Sequence, residues 1–65
     1  MILNDTIRNL WHISRTALAT KDKSRHSRMI YIQNELKIRY SNLITGMTNK
    51  EIWLTIEKET APIIN

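Results

Sequence analysis

The sequence predicts an all-α fold: an antiparallel helical hairpin plus a short third helix, with two copies associating into a helical bundle. Three observations predict it. A single glycine and a single proline in 65 residues leave few turns, which favours long helices over a β-rich fold. Apolar residues recur at helical spacing in three segments. A chain this short buries only about 60% of its unfolded surface. With no cysteine for disulfides, oligomerisation is the remaining way to complete a core. An apolar share of 42% argues against wholesale disorder.

The first helix is expected from about Asp5 to Ala19. Asn4 or Asp5 can cap its start, because a short side-chain oxygen accepts from backbone N–H groups that lack helical partners. Leu3, Ile7, Leu10, Trp11, Ala17 and Leu18 form one broad apolar face, with Asp5, Arg8, His12 and Arg15 on the other. The polar connection from Thr20 to Ser24 is short, as between antiparallel neighbours, and Ser24 can cap the next helix.

The second helix is expected from about Arg25 to Ile44. Its stripe of Met29, Ile32, Leu36, Tyr40 and Leu43 should meet the first helix. Tyr31 and Ile38 sit well round the helix from that stripe, and Ile30 and Ile44 add apolar area on a third side. A two-helix hairpin leaves these uncovered, so Tyr31 and Ile38 are the candidate oligomer interface. Gly46 can end this helix, since glycine takes a left-handed cap without steric cost.

Thr48-Asn49-Lys50-Glu51 reads as a capping box: the threonine hydroxyl meets the glutamate's amide, and the glutamate reaches back. Met47 and Ile52 stand at the hydrophobic-staple positions. The third helix is therefore expected from Thr48 to about Thr60, since Pro62 disfavours helix at the residue before it. Ile52, Trp53 and Ile56 form its apolar face, and Leu54 points elsewhere.

The net charge of +4 is unevenly spread. Residues 21–44 carry six basic and two acidic side chains, whereas residues 45–65 carry two basic and three acidic. A basic middle can attract phosphates or acidic protein surfaces. No apolar run approaches the roughly 20 residues that span a bilayer, and no secretory pattern opens the sequence. The expectation is a complete cytoplasmic product without membrane contact.

Catalytic, metal and cofactor chemistry is not expected. His12 and His26 have no HExxH spacing and no cysteine to complete a metal site. Ser14, Ser24, Ser27 and Ser41 lie in no nucleophile-elbow motif. One glycine cannot build a phosphate-cradling loop. The best functional candidate is the run from Lys21 to Arg28, in which Lys21, Lys23, Arg25 and Arg28 could contact a partner or phosphates. Basic residues at a helix start oppose the macrodipole, so helix stability does not explain them. Arg39 could extend the patch, although Glu35 weakens that side.

The segment Gly46-Met47-Thr48-Asn49-Lys50-Glu51-Ile52 resembles the opening of the helix-turn-helix in LuxR-type DNA-binding domains. In that family a small residue, a turn and a recognition helix follow. Here Trp53 replaces the small residue and no recognition helix is expected, so the capping box accounts for the same letters.

These readings converge on a small non-enzymatic regulatory or interaction protein that self-associates and binds a protein partner. Cofactor-free chains of this size are common in phage, plasmid and prophage gene sets, by analogy only. The alternative is a nucleic-acid-binding regulator using residues 21–28.

Overall fold

Helical periodicity is realised as three α-helices in the computed structural model, which describes residues 2–18 and 24–64. Helix α1 spans Ile2–Ala17, α2 spans Arg25–Ile38 and α3 spans Asn49–Ile64, with a single 3₁₀ turn at Ser41–Leu43 between α2 and α3. No strand occurs among the described residues.

Each helix departs from its expected bounds for a local reason. Helix α1 begins at Ile2 rather than near Asp5. Asp5 therefore lies in the first turn, where its charge complements the helix dipole and its carboxylate is 3.7 Å from the Arg8 guanidinium. The helix closes at Ala17, and the Leu18 amide still donates to the Ser14 carbonyl at 3.0 Å. The buried face is Ile7, Leu10, Trp11 and Ser14. Ala17, expected on that face, is exposed, and Ser14 takes the inward position one turn beyond Leu10.

Helix α2 ends at Ile38, well short of Ile44. The amides of Arg39 and Tyr40 both turn back to the Glu35 carbonyl, at 2.8 and 3.3 Å, and the chain tightens into the 3₁₀ turn. Ser41 and Asn42 follow, residues whose side chains compete for backbone bonds and so favour turns. The break changes which residues face inward. Met29, Ile32 and Leu36 are buried as expected, but Tyr40 is exposed and Leu43 only half-buried. Ile44, which a continuous helix would leave outside, becomes part of the core. Gly46 has φ +86°, the left-handed conformation that favours glycine, and it closes this turn rather than capping a long helix.

The capping box at α3 is formed. The Thr48 amide donates to Glu51 Oε1 at 3.0 Å, and the Glu51 amide donates to Thr48 Oγ1 at 3.2 Å. Hydrogen bonding from the Thr48 backbone amide, and then from the Thr48 side chain, favours the charged carboxylate, so Glu51 ionises below the ordinary carboxylate range. Met47 and Ile52 pack against the same core, as a staple requires. The helix then runs through Pro62 to Ile64 instead of stopping near Thr60. Proline removes one helical donor, but in the last turn this costs little, and Ile63 beyond it packs against the core.

Three contacts fix the topology. Leu3 and Ile7 line one small cavity with Leu36, Ile44, Met47 and Ile52, so α1 and α3 start at the same end and α2 finishes there. Arg8 pairs with Glu59 at 2.8 Å midway along. Trp11 and Ile63 line one groove at the far end. The helices therefore run up, down and up. Ile32, Leu36 and Ile56 are wholly buried between them, each worth roughly 1.5–3 kcal/mol relative to exposure.

Candidate anion-binding groove

The up-down-up arrangement places the first turn of α2 beside the last turns of α1 and α3. Ser24 caps α2, its hydroxyl accepting from the Ser27 amide at 3.2 Å, and this projects Arg25 and Arg28 from the first turn. Each arginine crosses to a different neighbour. Arg28 donates through Nε to Ser14 Oγ at 2.8 Å and through Nη2 to the Trp11 carbonyl, and its guanidinium stacks 3.7 Å from the centre of the Trp11 ring. Arg25 donates through Nη2 to the Glu57 carbonyl at 3.3 Å and to Thr60 Oγ1 at 3.4 Å.

The receiving hydroxyls belong to Ser14 and Thr60, the two buried polar residues among the described residues. Ser14 Oγ donates to the Trp11 carbonyl at 2.7 Å, and Thr60 Oγ1 donates to the Ile56 carbonyl at 2.8 Å. Each hydroxyl thus satisfies its own helix while accepting from an arginine of α2. This accounts for basic residues at a helix start. They meet the carbonyl-rich ends of α1 and α3, where positive charge is favoured, more than they oppose the dipole of α2.

The same crossing opens a groove of about 400 Å³ lined by Trp11, His12, Arg15, Arg25, Arg28 and Ile63. Among the described residues, three arginines and a histidine line it, and no carboxylate does. Elsewhere arginine is neutralised: Arg8 by Asp5 and Glu59, and Arg39 by Glu35 at 3.2 Å. Among the described residues, Arg15, Arg25 and Arg28 form no ion pair. Burial, and then repulsion from Arg15, lower the Arg28 pKa from its ordinary value. Arg25 Nε is buried without a hydrogen-bond partner among the described residues. The groove therefore holds clustered positive charge whose donors are only partly used.

Of the four basic residues singled out in the sequence, Arg25 and Arg28 meet at this groove, and Lys21 and Lys23 lie outside the described residues. Arg15 and His12 join them from α1, where sequence reasoning had placed them on an ordinary polar face. The signal was available in principle, since the end of one helix and the start of the next must be adjacent in a hairpin. Arg39 does not extend the patch, because Glu35 holds it.

The candidate oligomer residues separate. Tyr31 packs partly buried against the core, where burial and then the nearby Glu35 raise its phenol pKa, with a smaller opposing effect from Arg39. Ile38 stands 76% exposed at the end of α2. His26 is exposed and packs edge-on against Trp53, ring centres 5.6 Å apart.

Among the described residues, no three His, Cys, Asp or Glu side chains come together to hold a metal ion. No described helix is long and apolar enough to cross a membrane. No protein-family profile, curated protein or solved structure matches this chain.

Proposed function

We propose that the protein is a small, non-enzymatic interaction protein that binds an acidic protein partner in this groove. The observation that carries the reading is the cluster of Arg15, Arg25 and Arg28 in a concave site, none of them in an ion pair among the described residues. Folding alone does not require a third arginine there. Arg25 and Arg28 hold the helices together, while Arg15 makes no such contact and only adds repulsion to Arg28. Uncompensated like charge at a concave site suits a ligand of opposite sign.

A protein partner is favoured over nucleic acid by the shape of the charge. Duplex binding uses a track of cations along the backbone. Here Arg8 and Arg39 are already paired, and the arginines without an ion pair among the described residues, Arg15, Arg25 and Arg28, converge on one groove. The groove's own aromatic ring is not placed as a stacking platform either: Trp11 is 4% exposed and covered by Arg28. Helix α3 runs unbroken from Asn49 to Ile64 and supplies no turn leading into a recognition helix.

Self-association through Ile38 and the outer edge of Tyr31 belongs to the same proposal, in a cytoplasmic regulatory setting. It is supported by the exposure of Ile38 and by the apolar side chains of Ile13, Ile30 and Leu54 left at the surface.

Fluorescence anisotropy with a labelled polyglutamate chain and a labelled random duplex tests the binding reading at about 100 mM salt, where weak non-specific phosphate contacts fade. The acidic polypeptide should bind, and Arg15→Glu should remove that binding while the duplex stays unbound. Saturable duplex binding without polyglutamate binding would transfer the groove to a nucleic-acid partner.

A further inference from the structure

The groove's donors exceed what a carboxylate can accept. Arg28 uses Nε and Nη2 on α1, and Arg25 uses Nη2 on α3, which leaves one edge of each guanidinium uncommitted to the fold. Arg15 brings a whole fork, because none of its nitrogens makes a hydrogen bond or ion pair within the described residues. The His12 ring lies on the same wall. A carboxylate offers one negative charge on two oxygens. A phosphate monoester offers close to two charges on three terminal oxygens, and guanidinium forks match it bidentately.

We infer that the groove between α1 and the first turn of α2 is a phosphoryl-binding site, taking the phosphate monoester of a phosphorylated side chain on the partner. The inference rests on the reading of this groove as the partner site and narrows its ligand from acidic to phosphorylated.

Arg15 provides the mobile contact, being exposed near the end of α1. Arg25 and Arg28 provide fixed ones, because Thr60, Glu57, Ser14 and Trp11 hold their guanidiniums in place before any ligand arrives. Pre-set donors lose little freedom on binding, so a single phosphate can be held by a small site. Ile63 and the edge of Trp11 give the groove an apolar side, which suits the carbon chain that carries the phosphate. A phosphodiester is disfavoured on the same grounds as a carboxylate. It carries a single negative charge.

The test uses the full chain, isothermal titration calorimetry and the arginine Nε–Hε signals in nitrogen-15 spectra. Five probes are compared: a neutral-flanked phosphoserine peptide, the same peptide with serine and with glutamate at that position, inorganic phosphate, and a single-stranded oligonucleotide lacking terminal phosphates. The phosphoserine peptide should bind at least about tenfold more tightly than either unphosphorylated form, as expected for an added charge-assisted contact. Inorganic phosphate should compete with it, and the Arg15, Arg25 and Arg28 signals should move together. Arg15→Gln should weaken binding by about tenfold without a substantial fall in melting temperature, because Arg15 makes no hydrogen bond or ion pair among the described residues. Arg15→Lys should recover only part of it, since a point charge cannot replace the fork.

Equal binding of the glutamate and phosphoserine peptides would overturn the phosphoryl assignment and leave the acidic-partner reading standing. Oligonucleotide binding as tight as that of the phosphopeptide would overturn both. Unmoved arginine signals at saturating phosphopeptide would overturn the location of the site.

Discussion

Replacing Arg28 with methionine separates what this arginine does for the fold from what it does for a ligand. Methionine keeps much of the aliphatic stem and removes the guanidinium. Three interactions go with it: the bond to Ser14 Oγ, the bond to the Trp11 carbonyl and the stack on the Trp11 ring. Bonds from a charged donor are worth about 1.5–3 kcal/mol each, and the stack about 0.5–2 kcal/mol. Several effects work the other way. The substitution relieves desolvation and the repulsion from Arg15. The methionine retains packing. Ser14 is not left stranded, because its hydroxyl still donates to the Trp11 carbonyl. The net loss should be about 2–3 kcal/mol. In a domain of this size that lowers the melting temperature by about 10–20 °C.

Circular dichroism at 222 nm during thermal and urea unfolding measures the loss. A cycle with Ser14→Ala isolates the Arg28–Ser14 coupling, expected at about 1 kcal/mol. Arg28→Lys should restore only a fraction, since an ammonium cannot reach both acceptors in the plane of the ring. If Arg28→Met melts within about 2 °C of the parent, α2 is not pinned to α1 through this guanidinium and the reasoning is wrong.

Further outcomes follow from the same structure. Ile56→Ala should cost about 2–5 kcal/mol, because Ile56 is wholly buried at the junction of the helices; a smaller loss in urea unfolding would mean that the core repacks. Thr48→Ala should cost about 1 kcal/mol by removing the hydroxyl half of the capping box, and an unmoved melting temperature would show that packing alone holds α3. Because Glu51 ionises below its ordinary range when folded, its stabilisation is fully present above the unfolded carboxylate pKa and is lost as pH falls through the depressed folded value. Glu51→Gln should flatten that acid limb of the stability–pH curve. Tyr31 has the opposite sign. Its raised phenol pKa gives stability that is complete below the unfolded value and declines as pH rises beyond it, so Tyr31→Phe should reduce the alkaline loss. Sedimentation at about 100 μM should show a dimer that Ile38→Asp dissociates, and a monomer under those conditions would remove Ile38 from any interface.

Much of the architecture was legible because local signals and packing agreed. The capping box named its own partners: Thr48 and Glu51 stand three apart, and only a helix start uses both. The stripe of Met29, Ile32 and Leu36 obeyed helical spacing and was buried. The end of α2 was not legible. Residues 39–44 continue an apolar period that a helix would satisfy, yet a break lets Ile44 enter the core, which residue spacing within one helix cannot express. Pro62 misled for a related reason. Its local preference was outweighed at a helix end, where few backbone bonds are at stake and Ile63 packs against the core. Ser14 and Thr60 gave no warning of burial by residue type, although each continues its helix's buried period, one turn beyond Leu10 and Ile56, and each hydroxyl meets an arginine of α2.

The same pairing changes which residues carry functional information. Sequence reasoning fixed on Arg25 and Arg28 because they crowd a helix start, but the fold consumes most of what makes them unusual. Their charge meets the carbonyl ends of α1 and α3, which offsets part of the field they would otherwise project into solvent. Arg15 makes no such hydrogen bond among the described residues, and it comes from the helix whose polar face looked ordinary. A charge with no hydrogen bond or ion pair among the described residues, held beside two that have them, is the one on which the proposed anion binding most depends. Substituting Arg25 or Arg28 would therefore confound binding with unfolding. Substituting Arg15 changes the groove's charge with the helix contacts intact, and so the functional question turns on that residue.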